Sequence, residues 1–303
     1  MIKNKKKIVI AALARDCDKN LHTITKLIDE LRSHFLWSQV VVIENDSKDN
    51  TKYILNEWEG KNKGIKIISQ DFGSLTIPKQ SDNDLIPLVS FHRIDKMTMY
   101  RNMYLKHIEG IEVDIDNVII IDADIESFSI EGVLSSITKC EGKVGAIFGY
   151  GVSVRKAFNI IYSKIFYDVF AVYEYPMKDN FSYTQLSLMK TFESIMSKLK
   201  KNKNVSVISA FGGVSVYNYK AIYNLKYKVV ANCINEKEAI CEHIPFNTEI
   251  IKLGYKNFIS KEMQVIYGDG HSFGSVVKEY FPKKTFYLLL KISLMLRGLQ
   301  IKG

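Results

Sequence analysis

The stretch Val118-Ile-Ile-Ile-Asp-Ala-Asp-Ile-Glu126 decides the reading of this chain. Four aliphatic residues run directly into two aspartates separated by one alanine. A short apolar run of this kind predicts a buried strand. Residues two apart on a strand point to the same face, roughly 6–7 Å apart. Asp122 and Asp124 at a strand's C-terminal end can therefore share one divalent cation, and their hard oxygens suit Mg2+ or Mn2+ with substrate phosphates as further ligands. The structural alternative is an Asp-x-Asp that merely ends the strand, with Ser127 or Ser129 capping the next helix.

Working outward, Lys7 to Leu13 predicts a buried parallel strand, and Asn20 to His34 the helix after it. Gln39 to Ile43 predicts a second strand, closed by the polar turn Glu44 to Thr51. A helix over Thr51 to Trp58, a third strand over Ile65 to Ser69 and a helix over Ile94 to His107 lead to the Val118 strand. Residues 73–92 form a polar loop with Pro78 and Pro87. Strand and helix alternate, the pattern of a doubly wound, mostly parallel sheet flanked by helices. Ligands bind such sheets beyond the carboxyl ends of the strands. Farther on, Val144 to Tyr150 predicts a strand, Phe158 to Tyr173 a long aromatic helix, and another helix precedes Lys201. Val205 to Val216 is a strand broken at Phe211-Gly-Gly213. There is no internal repeat or low-complexity linker, so we expect a single compact α/β domain.

Composition bounds the partners. The chain has 303 residues, with 42 Lys+Arg against 33 Asp+Glu, a formal charge of +9. That balance favours anionic partners such as nucleotides or phospholipid surfaces. The runs Lys5 to Lys7 and Lys198 to Lys203 carry much of the excess, and solvated lysine faces explain each run equally well. The positive charge is otherwise dispersed lysine, not the basic face with Arg and aromatics of a nucleic-acid binder. Four separated cysteines, Cys17, Cys140, Cys233 and Cys241, form no CxxC pair. That spacing argues against a zinc site or disulfide framework and for a reducing cytoplasm. No signal-peptide pattern is present, and no apolar stretch reaches the roughly 20 residues of a spanning helix. The tail from Phe281 to Leu299 is apolar with interspersed cations. It suits an amphipathic helix lying against a membrane, or packing on the protein or a partner.

Several of these motifs, taken in order, resemble a family. Val41-Val-Ile-Glu-Asn-Asp-Ser-Lys-Asp-Asn-Thr51 is similar to the DDxSxDxT segment of GT-A nucleotide-sugar glycosyltransferases. Tyr100-Arg101-Asn102 resembles their xRN helix, and VIIIDADIE falls at their metal-binding DxD strand. Later, Tyr167 to Ala171, Ser209 to Gly213 and Cys241 to His243 resemble a subset. It contains bacterial polysaccharide glycosyltransferases and, more distantly, fungal capsule-associated α-1,3-mannosyltransferases. The resemblance extends to about residue 270.

The resemblance implies a GT-A type, Rossmann-like fold and a metal-dependent transfer of a sugar. The donor would be a nucleotide-diphosphate sugar of UDP or GDP type. The acceptor would be a saccharide or lipid-linked saccharide of surface polysaccharide synthesis, at the cytoplasmic face of the membrane. It implies a nucleotide-binding half over 1–130, an acceptor-binding half over 131–275 and the tail over 276–303. By the same resemblance Ala12, Ala14, Arg15, Glu44 and Asp46 hold the nucleoside, and Arg101 lies near the nucleotide. Asp122, Ala123 and Asp124 meet ribose, Mn2+ or Mg2+ and diphosphate. Gly212 and Gly213 form a glycine loop where donor meets acceptor. Glu242 and His243 are the catalytic pair, with histidine where the family usually has a second acid. His271, in a glycine-flanked loop beyond the last core elements, is the natural third metal ligand. The rival enzyme reading, a nucleotidyltransferase, expects a Gly-rich basic loop after strand one; Ala14-Arg-Asp-Cys-Asp18 is acidic and glycine-free.

Overall fold

The computed structural model describes residues 3–73, 87–157, 161–177, 185–233 and 236–271. The chain begins β1 (Asn4–Ala14), α1 (Asp18–Ser33), β2 (Phe35–Asn45), α2 (Thr51–Lys61), β3 (Ile65–Gln70), α3 (Phe91–Glu109) and β4 (Asn117–Asp122). β1 pairs with β2 and β4, and β2 with β3, all parallel. The alternation predicted from the sequence is therefore the observed one. α1 forms because its buried residues Leu21, Ile24, Ile28 and Leu31 recur at helical spacing and make one apolar stripe. α3 starts where the Ser90 hydroxyl accepts the Arg93 amide at 3.3 Å, satisfying a first-turn donor.

The second half is β5 (Ser127–Phe128), α4 (Ile130–Lys139), β6 (Val144–Ala157), β7 (Ile161–Phe166), α5 (Gln185–Lys201), β8 (Asn204–Val207), β9 (Val214–Asn218), α6 (Tyr219–Ile222), β10 (Val230–Ala231), β11 (Ala239–Ile240), α7 (His243–Lys252) and β12 (Lys256–His271). The main sheet has ten strands in the order β3-β2-β1-β4-β9-β6-β12-β5, with β7 on β6 and β8 on β12. β3, β2, β1, β4, β6 and β12 run one way, and β9, β5, β7 and β8 run against them. The sheet is mixed but dominated by one direction, and both halves of the sequence build it.

Alternate residues of each central strand face opposite cores. Val9, Ala11, Val118 and Ile120 belong to one buried cluster, and Ile8, Ile10, Ile119 and Ile121 to the other. Both faces are covered, which is why these strands read as continuous apolar runs rather than alternating ones.

Three expectations are corrected. The helix predicted over Phe158 to Tyr173 is instead β7 followed by a short 3-10 turn at Val169–Ala171. β7 folds back antiparallel on β6, from Val152↔Phe166 to Ala157↔Ile161, and a β-branched, aromatic run suits that pairing. The single broken strand over Val205 to Val216 is two strands that part company: β8 joins β12, while β9 inserts between β4 and β6. Finally, His271 does not lie in a loop beyond the core. It ends β12, paired with Lys156 of β6. The predicted tail over 276–303 lies outside the described residues.

Candidate active site

β1, β2 and β3 are laid down outward in one direction, and β4 joins the other side of β1. This reversal is a topological switch point, where the diverging loops leave a crevice at the strands' carboxyl ends. A cleft of about 620 Å³ opens there. Leu13, Ala14, Arg15 and Asp16 line it from the end of β1, Asn45 from β2, and Asp122 and Asp124 from β4. One face of α3, Arg93, Ile94, Met97, Tyr100 and Arg101, forms a wall. Tyr167 to Phe170, Phe211 and Cys241 to His243 complete it.

The floor is organised by one buried cation. Arg101 Nε donates to Glu242 Oε1 at 2.8 Å, with both side chains 3% exposed. The guanidinium lies 4.0 Å from Asp122 Oδ1 and over the rings of Phe211 and Tyr227, at 5.2 and 5.7 Å. Burial by itself would raise the Glu242 pKa, but the Arg101 charge outweighs it and holds the carboxyl at about 2. Glu242 is thus a fixed anion.

Asp122 is held from two sides. Its Oδ2 accepts the Tyr267 hydroxyl at 2.9 Å, and its backbone amide donates to the Gly213 carbonyl at 2.9 Å. Burial, and then the charge of Asp124, push its carboxyl up to about 7. Asp124 is open to solvent beside it.

The glycine loop serves as scaffold. Gly212 and Gly213 have φ of +66° and +83°, a region that disfavours side chains. A Cβ at Gly213 would meet the Tyr267 hydroxyl at 2.5 Å, and one at Gly212 the Gly149 carbonyl at 2.1 Å. The missing Cβ of Gly213 lets Tyr267 reach Asp122, with the Tyr167 ring stacked on Tyr267 at 3.3 Å.

Asp168 is the residue that the sequence reading passed over. It has φ +65°, ψ 44°, the left-handed region that aspartate and asparagine tolerate better than other residues with side chains. It lines the cleft, where the Gly212 amide favours its ionised form. Burial and the charges of Asp122 and Glu242 push its carboxyl up to about 8. The segment Tyr167 to Ala171 was a visible signal, but its predicted helix hid the side chain's direction.

His243 opens α7 and is 2% exposed. Its ring stacks on Phe211 at 4.2 Å, and neither ring nitrogen has a hydrogen-bond partner among the described residues. Burial, then the nearby Arg101 charge, depress its pKa well below 6.5, so it is a neutral imidazole.

The structure therefore brings Ala14, Arg15, Arg101, Asp122, Asp124, Glu242 and His243 to one cleft. Ala12 and Ala123 are buried in the core behind it. Glu44 is fully buried; its Oε1 accepts the Ser47 amide at 2.9 Å and its Oε2 the Ser69 hydroxyl. Asp46 accepts the Phe72 and Gly73 amides at 2.8 and 2.7 Å. Both acids shape the turn after β2, and it is Asn45 that faces the cleft. Gly212 and Gly213 act from beneath the lining. The His271 side chain lies outside the described residues, and its backbone stands four residues beyond Tyr267, about 13 Å along an extended strand.

Among the described residues no group of three or more His, Cys, Asp or Glu is arranged to hold a metal ion. Asp122 and Asp124 nevertheless fit a hard divalent cation that completes its shell with water and phosphate. They are two oxygen donors, one open to solvent, whose charges oppose each other's ionisation.

Residues 7–246 match the family described as Cryptococcal mannosyltransferase 1. The chain belongs to that glycosyltransferase family. A comparison with curated proteins finds no match. Solved structures of similar shape include the mannosyltransferase PcManGT of Pyrobaculum calidifontis, in complex with GDP-Man and Mn2+, at 10% identity and a TM-score of 0.49. That likeness covers 87% of this chain and 57% of PcManGT. GalNAc-T7 with UDP, GalNAc and Mn2+ has 10% identity and a TM-score of 0.47, over 88% of this chain and 44% of its own. Glucosyl-3-phosphoglycerate synthase of Mycobacterium tuberculosis, with Mn2+, UDP and phosphoglyceric acid, has 10% identity and a TM-score of 0.41, over 87% and 69%. At these scores the likeness of shape carries no functional argument. The family match carries the assignment.

Proposed function

We propose that this chain transfers a hexose from a nucleoside-diphosphate sugar to a saccharide or lipid-linked saccharide, with Mn2+ or Mg2+ bound at Asp122 and Asp124. The observation that carries the reading is the position of this acidic pair. It stands at the strand-order reversal, in a cleft large enough for a nucleotide sugar, in a chain of a mannosyltransferase family. When bound, the cation supplies positive charge to the departing diphosphate.

The chain's own residues do the rest. Arg101 keeps Glu242 ionised and fixed, so Glu242 orients rather than exchanges protons. The neutral His243 and the raised Asp168 are the groups whose protonation suits handling a hydroxyl proton. Ala14 and Arg15 at the end of β1, with Asn45, form the nucleoside end. His271 as a further cation ligand, and the division into a nucleotide half over 1–130 and an acceptor half over 131–275, remain parts of this proposal.

The reading is tested by calorimetric titration of UDP-, GDP-, CDP- and dTDP-sugars with Mn2+ and with EDTA. One nucleotide class should bind in Mn2+ and lose affinity in EDTA, and Asp122→Asn should abolish the difference. Equal binding in EDTA refutes the metal, and no binding of any nucleotide sugar refutes the transfer.

For location we propose the cytoplasmic face of the cell membrane, supported by the apolar, cation-bearing stretch 286–299. Among the described residues no helix is long and apolar enough to cross a membrane. Co-sedimentation with anionic vesicles at low salt tests this; protein that stays in the supernatant excludes peripheral contact.

A further inference from the structure

Two arginines lie on the cleft face of α3, and the motif marks only one of them. Arg101 belongs to the Tyr-Arg-Asn signature, yet it is 3% exposed and committed to Glu242. Arg93 lies two turns earlier on the same face, about 12 Å along the helix. It lines the same cleft and is half-buried. Its Nη1 donates to the Leu88 carbonyl at 2.9 Å, which holds the guanidinium in place. Among the described residues its other side-chain donors have no hydrogen-bond acceptor, and no carboxylate forms an ion pair with it.

Asp122, Asp124 and Glu242 line the same cleft as Arg93. A guanidinium fixed on the wall of this cleft, with no ion pair to its carboxylates among the described residues, is placed to meet an anion that enters it. A guanidinium fork offers parallel N–H donors that match phosphoryl oxygens.

We infer that Arg93 is a diphosphate-binding residue, donating to phosphoryl oxygens of the nucleotide from the α3 side of the cleft. The inference rests on the sugar-transfer reading above, and goes beyond it by naming a contact that no motif marks. It also gives Arg93 a catalytic part, because charge accumulates on those oxygens as the sugar departs.

The test is calorimetric titration of the full chain in Mn2+ with UDP and GDP, and separately with uridine and guanosine. Wild type is compared with Arg93→Ala, Arg93→Gln and Arg93→Lys, each checked for an unchanged melting transition. Arg93→Ala and Arg93→Gln should weaken the nucleoside diphosphate that binds by about 10- to 100-fold, the usual range for a charged hydrogen-bonding partner. Affinity for the bare nucleoside should not change. Arg93→Lys should fall between, since an ammonium keeps the charge and loses the fork. Equal diphosphate affinity in wild type and Arg93→Gln overturns the inference, leaving Arg93 a solvated arginine. So does a matching loss for the nucleoside, which would make Arg93 a shaper of the pocket. If wild type binds no nucleoside diphosphate at all, the sugar-transfer reading itself falls.

Discussion

The hydroxyl of Tyr267 donates to Asp122 Oδ2 at 2.9 Å, joining two residues 145 positions apart in sequence. The contact exists because β12 passes behind a glycine loop that presents no Cβ to the tyrosine. One carboxylate oxygen is thereby fixed, and the other remains on the Arg101 side, 4.0 Å from the guanidinium. Partners of this kind orient a carboxylate for a cation.

Tyr267→Phe should therefore keep the fold, since the ring and its stacking on Tyr167 remain. We expect Mn2+ affinity, measured by electron paramagnetic resonance without substrate, to fall about 10-fold. Gly213→Ala forces a side chain into a left-handed backbone and onto the Tyr267 hydroxyl, and should cost about 1–3 kcal/mol in urea denaturation. Unchanged Mn2+ affinity in both variants would detach the loop from the metal site.

The Arg101–Glu242 pair predicts an acid-sensitive element. Glu242 is held at about 2, against 4.5 for an unperturbed glutamate. Its stabilising contribution is fully present above about pH 4.5 and is lost as pH falls through about 2, amounting to roughly 3 kcal/mol. Glu242→Gln should flatten that limb of the stability profile. It should also destabilise the protein by about 3–5 kcal/mol at pH 7, because Arg101 stays buried without its counter-charge. A variant as stable as wild type at pH 7 contradicts the ion pair.

Asp122 and Asp168 carry the opposite sign. Burial and neighbouring charge raise them from 3.8 to about 7 and about 8. A carboxyl that holds its proton more tightly when folded stabilises the fold at low pH, and that stabilisation is lost as pH rises. From pH 4 to 8 the metal-free protein should lose on the order of 2 kcal/mol from these groups, allowing for partial solvent screening. Asp122→Asn should reduce that slope, and Mn2+ should stabilise wild type more at pH 8 than at pH 5. Melting curves without this pH dependence would show that water screens the cluster.

His243 sets stability against function. Two unpartnered ring nitrogens are buried against Phe211, so His243→Phe should stabilise the fold by about 1–2 kcal/mol. Turnover should fall about 100-fold or more if the imidazole handles the acceptor proton, with nucleotide affinity nearly unchanged. A stabilised variant at full turnover would remove His243 from the chemistry.

Sequence alone determined the alternation through Asp122, because continuous apolar runs and 3–4-residue stripes are local signals written within one element. It also marked Asp122 and Asp124, since the end of a parallel strand is a place where a carboxylate meets solvent and ligand. Where side chains point was another matter. Glu44 and Arg101 stand in motifs yet turn inward, one onto Ser47 and Ser69, the other onto Glu242. Asp168 reaches the cleft from a segment marked by the motif but read as helix, and Arg93 from a part of α3 that no motif marks. The aromatic run after Phe158 fits a helix or a strand equally well by period, and only pairing with β6 decides. The insertion of β9 between β4 and β6, and the reach of Tyr267 to Asp122, join residues far apart in the chain. Such contacts are fixed by which strands pair and which glycines let them approach, and that is a property of the packed sheet rather than of any single stretch of sequence.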